Sequence, residues 1–299
     1  MSGDAGMARV TERKTAPGTA LITGASSGIG RELAALLARD GYHLVLVARD
    51  EARLAGTAER LRESASVPVT VLPCDLASPT AAEWLMREIE ERGITVDVLV
   101  NNAGFNVYGP FTRTESAAEL AMLRVHVVTL THLTKLLLPG MLARRSGRIL
   151  NVASTGSFAP GPTDAVYCAS KAYVLSFSEA LAEELRGSGV TVTALCPGPT
   201  DTEFAARAGM TDSLLFRGPR ATPAAVARAG YRAMLRGRAV VIPGAVNWLM
   251  VLSLRFTPRA LAARLSRLLL GGAAPASTSA SAPAPGRFPS PPDRLRPAA

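Results

Sequence analysis

Residues 19–30, TALITGASSGIG, restrict the fold more than any other stretch of the chain. An apolar run from Thr19 to Thr23 leads directly into Gly24-Ala-Ser-Ser-Gly28-Ile-Gly30, and Ile29, Leu33, Leu36 and Leu37 then recur at helical spacing up to the Asp40-Gly41 stop. A strand, a glycine-rich turn and a helix in that order bring backbone close to a pyrophosphate. The glycines remove Cβ obstruction, and the helix N-terminus offers unpaired N–H groups with a partial positive charge. The bland alternative is a tight turn that only lets helix pack on strand. In this context the stretch reads as a dinucleotide-binding unit, with Gly24, Ser26, Ser27, Gly28, Ile29 and Gly30 as its binding residues.

The same alternation continues without interruption. Strands are expected at residues 43–47, 69–72, 96–100, 148–152, 191–195 and 239–242, with helices at 51–63, 80–92, 117–145, 164–186 and 223–235 between them. The 117–145 helix is expected to be interrupted near its end by Pro139-Gly140. This pattern predicts an α/β fold: a Rossmann-type, doubly wound parallel sheet with right-handed crossovers and helices on both faces. Four segments follow: a flexible leader at 1–16, one nucleotide-binding catalytic domain at 17–245, a helical extension at 246–271 and a Pro/Ala/Ser-rich disordered tail at 272–299.

Charge and cysteine usage narrow the partners. Of the formal charge of +9, residues 255–299 carry +6, so basicity belongs to the C-terminal end and gives no support to nucleic-acid binding by the main domain. Cys74, Cys168 and Cys196 sit singly in apolar runs without metal-ligand spacing, which predicts buried thiols in a reducing compartment and no metal. The first 16 residues have no apolar signal-peptide core, and a cytoplasmic location is the expectation.

The second strand ends in Ala48-Arg49, where folds that hold NAD carry an acid for the ribose 2′-hydroxyl. The Arg49 guanidinium suits a 2′-phosphate, which favours NADP(H); a salt bridge to Asp50 or Glu51 is the competing reading. Further on, Tyr167 and Lys171 lie four residues apart on one predicted helix, facing the same way. An ammonium beside a phenol favours the phenolate, so Tyr167 would titrate closer to neutrality and act as acid or base, with Ser154 polarising a carbonyl. Tyrosine and lysine at this spacing also occur together by chance on solvated helix faces.

With the Gly24, Gly28 and Gly30 turn, the Asn101-Asn102-Ala103-Gly104 run, Ser154, Tyr167, Lys171 and Pro197-Gly198 in order at successive strand ends, residues 17–245 resemble the short-chain dehydrogenases/reductases. The resemblance implies a hydride-transferring oxidoreductase that interconverts a carbonyl and an alcohol with NADP(H). Tyr167 would exchange the proton, Lys171 would lower its pKa and hold the nicotinamide ribose, and Ser154 would hydrogen-bond the reacting oxygen. Asp75 and Leu76 would lie near the adenine, Asn101, Ala103 and Gly104 would form the cofactor floor, and Pro197, Gly198 and Thr200 would line the nicotinamide. Homo-oligomers are frequent in the family.

One position departs from the pattern. Where the family carries an asparagine in the long helix, this chain has His126. A relay through the backbone carbonyl tolerates any residue there, a relay needing the amide does not, and an imidazole adds a titratable group of its own. His126 therefore joins the catalytic candidates, and the rival reading is a nucleotide-binding regulatory protein with an impaired relay. The resemblance points to the branch acting on apolar ketones, aldehydes, 3-oxoacyl or steroid-like substrates. Phe105, Val107, Tyr108 and Phe158 are compatible with an apolar pocket, beneath a lid at residues 200–220.

Beyond the domain, residues 239–254 are uncharged but too short to span a bilayer, which needs about 20 apolar residues. A helix after Pro258 would carry Leu261, Leu265, Leu268 and Leu269 on one side and Arg259, Arg264 and Arg267 on the other. It could lie on an anionic membrane surface, cover a subunit interface or dock by its leucines on its own domain.

Overall fold

The apolar runs become seven strands of a single parallel sheet: β1 (Thr19–Thr23), β2 (His43–Ala48), β3 (Val69–Pro73), β4 (Val96–Asn101), β5 (Gly147–Val152), β6 (Val190–Leu195) and β7 (Val240–Val241). The computed structural model describes residues 18–271; the expected leader at 1–16 and tail at 272–299 lie outside the described residues. Strand order is β3-β2-β1-β4-β5-β6-β7, so the chain reverses its winding direction between β1 and β4. In such sheets a crevice opens beyond the carboxyl ends at that reversal. Register pairs Ile22 with both Leu46 and Val100, and Asn101 with Asn151, which brings the strand ends into one row.

Successive strand residues point to opposite faces, so each strand feeds two cores. On one face α1 (Gly28–Arg39), α2 (Glu51–Ala65) and α9 (Pro223–Leu235) bury Leu33, Leu37, Leu54 and Met234 against Ile22, Leu46 and Val100. On the other, α3 (Ala81–Glu91), α5 (Leu130–Ala143) and α6 (Ala165–Glu184) bury Leu85, Ile89, Leu133, Met141 and Leu181 against Leu21, Val45, Leu99 and Ile149. Full burial of such a side chain is worth about 1.5–3 kcal/mol, and two complete faces hold the strand ends rigidly.

The long helix differs from expectation in two ways. Pro139 lies inside α5 without breaking it, because it sits on an exposed face where the carbonyl four residues back, on exposed Lys135, can turn to water. The irregularity falls earlier: α4 (Ser116–Leu123) passes into a π-helical turn (Arg124–Thr129) before α5 begins. That wider turn contains His126, and π-turns inside α-helices concentrate at functional sites.

The remaining elements surround the carboxyl end of the sheet. They are a 3-10 turn (Thr155–Phe158), two short helices, α7 (Glu203–Arg207) and α8 (Leu214–Arg217), and the C-terminal pair α10 (Ala245–Leu254) and α11 (Arg259–Leu270).

Candidate active site

The glycine turn after β1 is pinned from below. Gly24 has φ +66°, and a Cβ there would come within 2.8 Å of the Ala103 Cα; at Gly30 one would meet the Gly24 carbonyl oxygen at 2.3 Å. Asn102 Nδ2 donates to the carbonyls of Thr23 (3.0 Å) and Gly24 (3.1 Å), while the Thr23 hydroxyl accepts from the N–H groups of Asn102 and Ala103. Thr23 and Asn102 thus sew the turn to the end of β4. Neither is among the binding residues read from sequence, although a threonine closing the first strand was its available signal. Ser27 caps α1 in extended conformation without a side-chain bond to the helix, which leaves its leading N–H groups directed outward. Ser26 and Ser27 stay half-exposed on this turn, whereas the Ile29 side chain packs on the core.

Arg49 follows β2 and is exposed, its guanidinium 5.8 Å from the centre of the Phe105 ring. Among the described residues it pairs with neither Asp50 nor Glu51, since Asp50 instead caps α2 by accepting from Arg53 N at 3.0 Å. Asp75 folds onto its own loop and accepts from Ala77 N, and the Leu76 carbonyl accepts the Thr129 hydroxyl, tying the π-turn to the end of β3. Ala103 and Gly104 reach solvent beyond β4, half-buried and exposed respectively. The Asn101 side chain does not: it turns inward and donates to Asn151 Oδ1 at 2.9 Å, while Asn151 in turn donates to Ser178.

Beyond β5, Ser154 and the helix bearing Tyr167 and Lys171 converge. The Ser154 hydroxyl accepts from Gly156 N at 3.0 Å, and its Oγ and the Tyr167 ring both face Gly156. Lys171 is buried, its Nζ donating to the Val152 carbonyl at 2.9 Å and standing 5.8 Å from the Tyr167 ring centre. Against the drop expected from Lys171, desolvation pushes the Tyr167 phenol above its ordinary value, and the neighbouring Ser154 hydroxyl opposes this only in part. Burial also lowers Lys171 to about 8. The ammonium is spent on a carbonyl and packs against the face of the ring, so desolvation decides the phenol's titration.

His126 is buried and fully engaged. Its Nδ1 lies 2.9 Å from Ser170 Oγ, which already gives its one proton to the Tyr167 carbonyl at 2.7 Å. Ser170 must therefore accept from the imidazole, so Nδ1 carries the proton and Nε2 accepts from Phe105 N at 3.3 Å. Burial, followed by the nearby Lys171 charge, holds the imidazole pKa well below its ordinary value. With its one proton donated to Ser170 and its other nitrogen accepting from Phe105 N, the neutral ring braces the loop after β4 against the Tyr167 helix.

The substrate side is closed by apolar side chains. Phe204 of α7 lies 5.6 Å from the Tyr167 ring centre, and Ala205, Met210 and Leu270 pack together with Tyr108, Leu215 and Phe216. The expected lid is thus two short helices docked on the site. Of the predicted pocket residues only Tyr108 joins this cluster; Phe105 and Phe158 pack on the core. Arg53 holds α7 through two bonds to Glu203, whose carboxyl is drawn down to about 2 by that guanidinium. The Pro197 carbonyl accepts Thr155 N, the Thr200 hydroxyl donates to the Gly198 carbonyl, and a Cβ on Gly198 would strike Asn247 of α10 at 2.4 Å. Sequence reasoning also missed Asp164, buried beside Asn106 with an unpartnered oxygen on each, its pKa raised by burial to about 7.

A glycine cradle, the strand-end Asn102 clamp and a Ser154, Tyr167 and Lys171 cluster occupy one end of one sheet, and residues 18–212 match the family model for short chain dehydrogenase. The chain belongs to the short-chain dehydrogenase family. It is 32% identical to ketoacyl reductase HetN of Nostoc sp. over 220 residues, covering 72% of this chain and 75% of that protein. Among solved structures, this short-chain dehydrogenase is similar to one from Sphingobium yanoikuyae in complex with NADPH (34% identity, TM-score 0.71, covering 80% and 94% of the two chains). It is likewise similar to an actinorhodin polyketide ketoreductase variant with NADPH (34% identity, TM-score 0.67, covering 76% and 95%).

Proposed function

We propose that this short-chain dehydrogenase is an NADP(H)-dependent reductase of apolar ketones of the 3-oxoacyl or polyketide type, with Tyr167 as the proton donor. The observation that carries the reading is the half-buried Tyr167 phenol beside Ser154, at the same carboxyl end of the sheet as a backbone cradle that a single Cβ at Gly24 would fill. The cradle fits a dinucleotide: its outward N–H groups suit a diphosphate, and Arg49 is charged, exposed and, among the described residues, without a carboxylate partner, as a 2′-phosphate would require. The similar NADPH-bound proteins support the same choice.

When bound, NADPH supplies the hydride. The residues of the chain manage the proton and the geometry. Ser154 holds the substrate oxygen beside the phenol. Tyr167 is protonated throughout the physiological range because burial raises its pKa, so it stands ready as an acid, the form that carbonyl reduction consumes. Lys171 holds its own proton below about 8 and keeps the phenol's surroundings positive. His126 acts as a positioning residue rather than a relay, since both its nitrogens are engaged. Phe204, Met210 and Tyr108 shield the reacting carbon from water.

The test is NADPH oxidation against a panel of ketones, aldehydes and 3-oxoacyl thioesters. Turnover fastest on the apolar ketones supports the reading. Tight NADPH binding with no turnover on any member supports the catalytically impaired alternative instead.

A further inference from the structure

The C-terminal pair of helices docks on the domain the opposite way round from an amphipathic cover. In α11 the inward residues are Ala262 and Leu270, whereas Leu261, Leu265, Leu268 and Leu269 are 43–65% exposed and form one stripe at i, i+4, i+7 and i+8. In α10, which has no charged residue, Val246 is 83% and Leu249 61% exposed, Trp248 is 54% exposed, and Phe256 in the connecting turn is 83% exposed. Eight large apolar side chains thus lie in water on two adjoining short helices. That concentration marks an interaction surface, unlike scattered single exposures.

Charge distinguishes the possible occupants. Residues 213–271 contain ten arginines and no lysine, aspartate or glutamate. Arg255, Arg259, Arg264 and Arg267 are all exposed, and Arg264, three residues from Leu261 and four from Leu268, borders the leucine stripe. A second copy seated on this face would bring these arginines against their own equivalents with no acid to pair them. The chain's own residues 272–299 are no better suited, having a further net +2 and only Phe288 and Leu295 as large apolar residues. An anionic lipid surface satisfies both features at once: acyl chains accept the apolar ridge, headgroup phosphates accept the guanidinium groups, and an indole favours the boundary between them.

We propose that α10, the turn through Phe256 and α11 form a peripheral docking surface for anionic lipid bilayers. The surface adjoins the substrate side of the site, because Asn247 packs on Gly198 and the Tyr108 hydroxyl donates to the Leu270 carbonyl. Docking there turns the apolar cover at Tyr108, Phe204 and Met210 toward the bilayer, from which a lipophilic carbonyl compound can enter. This last consequence rests on the function proposed above, whereas lipid binding itself needs no turnover to be measured.

The experiment uses the full chain in vesicle flotation with phosphatidylcholine alone and with added phosphatidylglycerol. Trp248 fluorescence is followed in a Trp84→Phe background, where it is the one remaining tryptophan. Expected are flotation with the anionic vesicles at least tenfold above that with neutral ones, a blue shift of Trp248, and loss of both in L261E/L268E and in R264E/R267E. Both double variants change exposed positions, and retained NADPH binding shows that they fold. No flotation, flotation indifferent to lipid charge, or a stable dimer that L261E/L268E dissociates would overturn the proposal, the last by assigning the face to a second copy.

Discussion

The two sides of the carboxyl end of the sheet are built from different materials. On the cofactor side the shape is backbone: positive φ at Gly24 and Gly28, carbonyls clamped by Asn102, and a threonine hydroxyl shared by two N–H groups. On the substrate side it is side-chain packing, with Phe204 on Tyr167, Tyr108 with Leu270 and Asn247 on Gly198. Backbone geometry tolerates almost no substitution, since the alternative to glycine at positive φ is strain. Packed side chains can be exchanged in concert while volume is kept. One scaffold can therefore keep its dinucleotide cradle while its cover varies with the substrate.

The sharpest break between the sides is chemical. Tyr167→Phe should lower kcat by about 10²–10⁴-fold, the usual contribution of general acid catalysis, while NADPH affinity by fluorescence titration stays unchanged. A parallel loss of affinity would mean that the phenol belongs to the cofactor side instead. The same small substitution made once on each side comes next. Gly24→Ala forces a Cβ onto Ala103 backbone at positive φ and should cost about 1–2 kcal/mol, read as a roughly 5–30-fold weaker NADPH Kd. Gly198→Ala meets a side chain rather than backbone, the Asn247 amide, which can move by giving up its bond to the Pro243 carbonyl, and its effect on NADPH Kd should be smaller.

Protonation gives a third comparison. Lys171 is charged below about 8 and neutral above it. The ammonium favours the negative charge that develops on the phenol as it gives up its proton, so the reduction rate should hold level up to that pH and then fall as Lys171 loses its charge. His126→Leu should leave that profile in place, because the imidazole never titrates within it, yet lower stability by about 1–3 kcal/mol by leaving Phe105 N–H without an acceptor. A profile that moved with His126 would restore it to the relay. Smallest of all, Leu268→Glu should leave turnover of a water-soluble ketone within error, as its side chain touches neither side of the site.

Legibility in the sequence follows the same division. The sheet, its crossovers and the Gly24, Ser154, Tyr167 and Lys171 constellation were readable because they depend on period and on residues whose backbone chemistry is local. The π-turn was not: Val125, Val127, Val128 and Thr129 lower helix propensity there without saying that the helix widens rather than ends, and Pro139 attracted the expected break without causing one. The inward turn of Asn101 depends on Asn151, fifty residues away, and the state of His126 depends on where Ser170 sends its single proton. The C-terminal helix had the right amphipathic pattern, but the pattern alone could not say which face Ala262 and Leu270 would claim.

Gly104 and His126 constrain the order in which this site can change over generations. A Cβ at 104 would come within 2.7 Å of the imidazole Nε2, so every side chain at 104 is barred while histidine stands at 126. Shortening 126 first opens the space; altering 104 first closes off the path. While histidine stands at 126 the glycine at 104 is tied to it, and a library that varies the two positions together will recover combinations that stepwise mutation passes over.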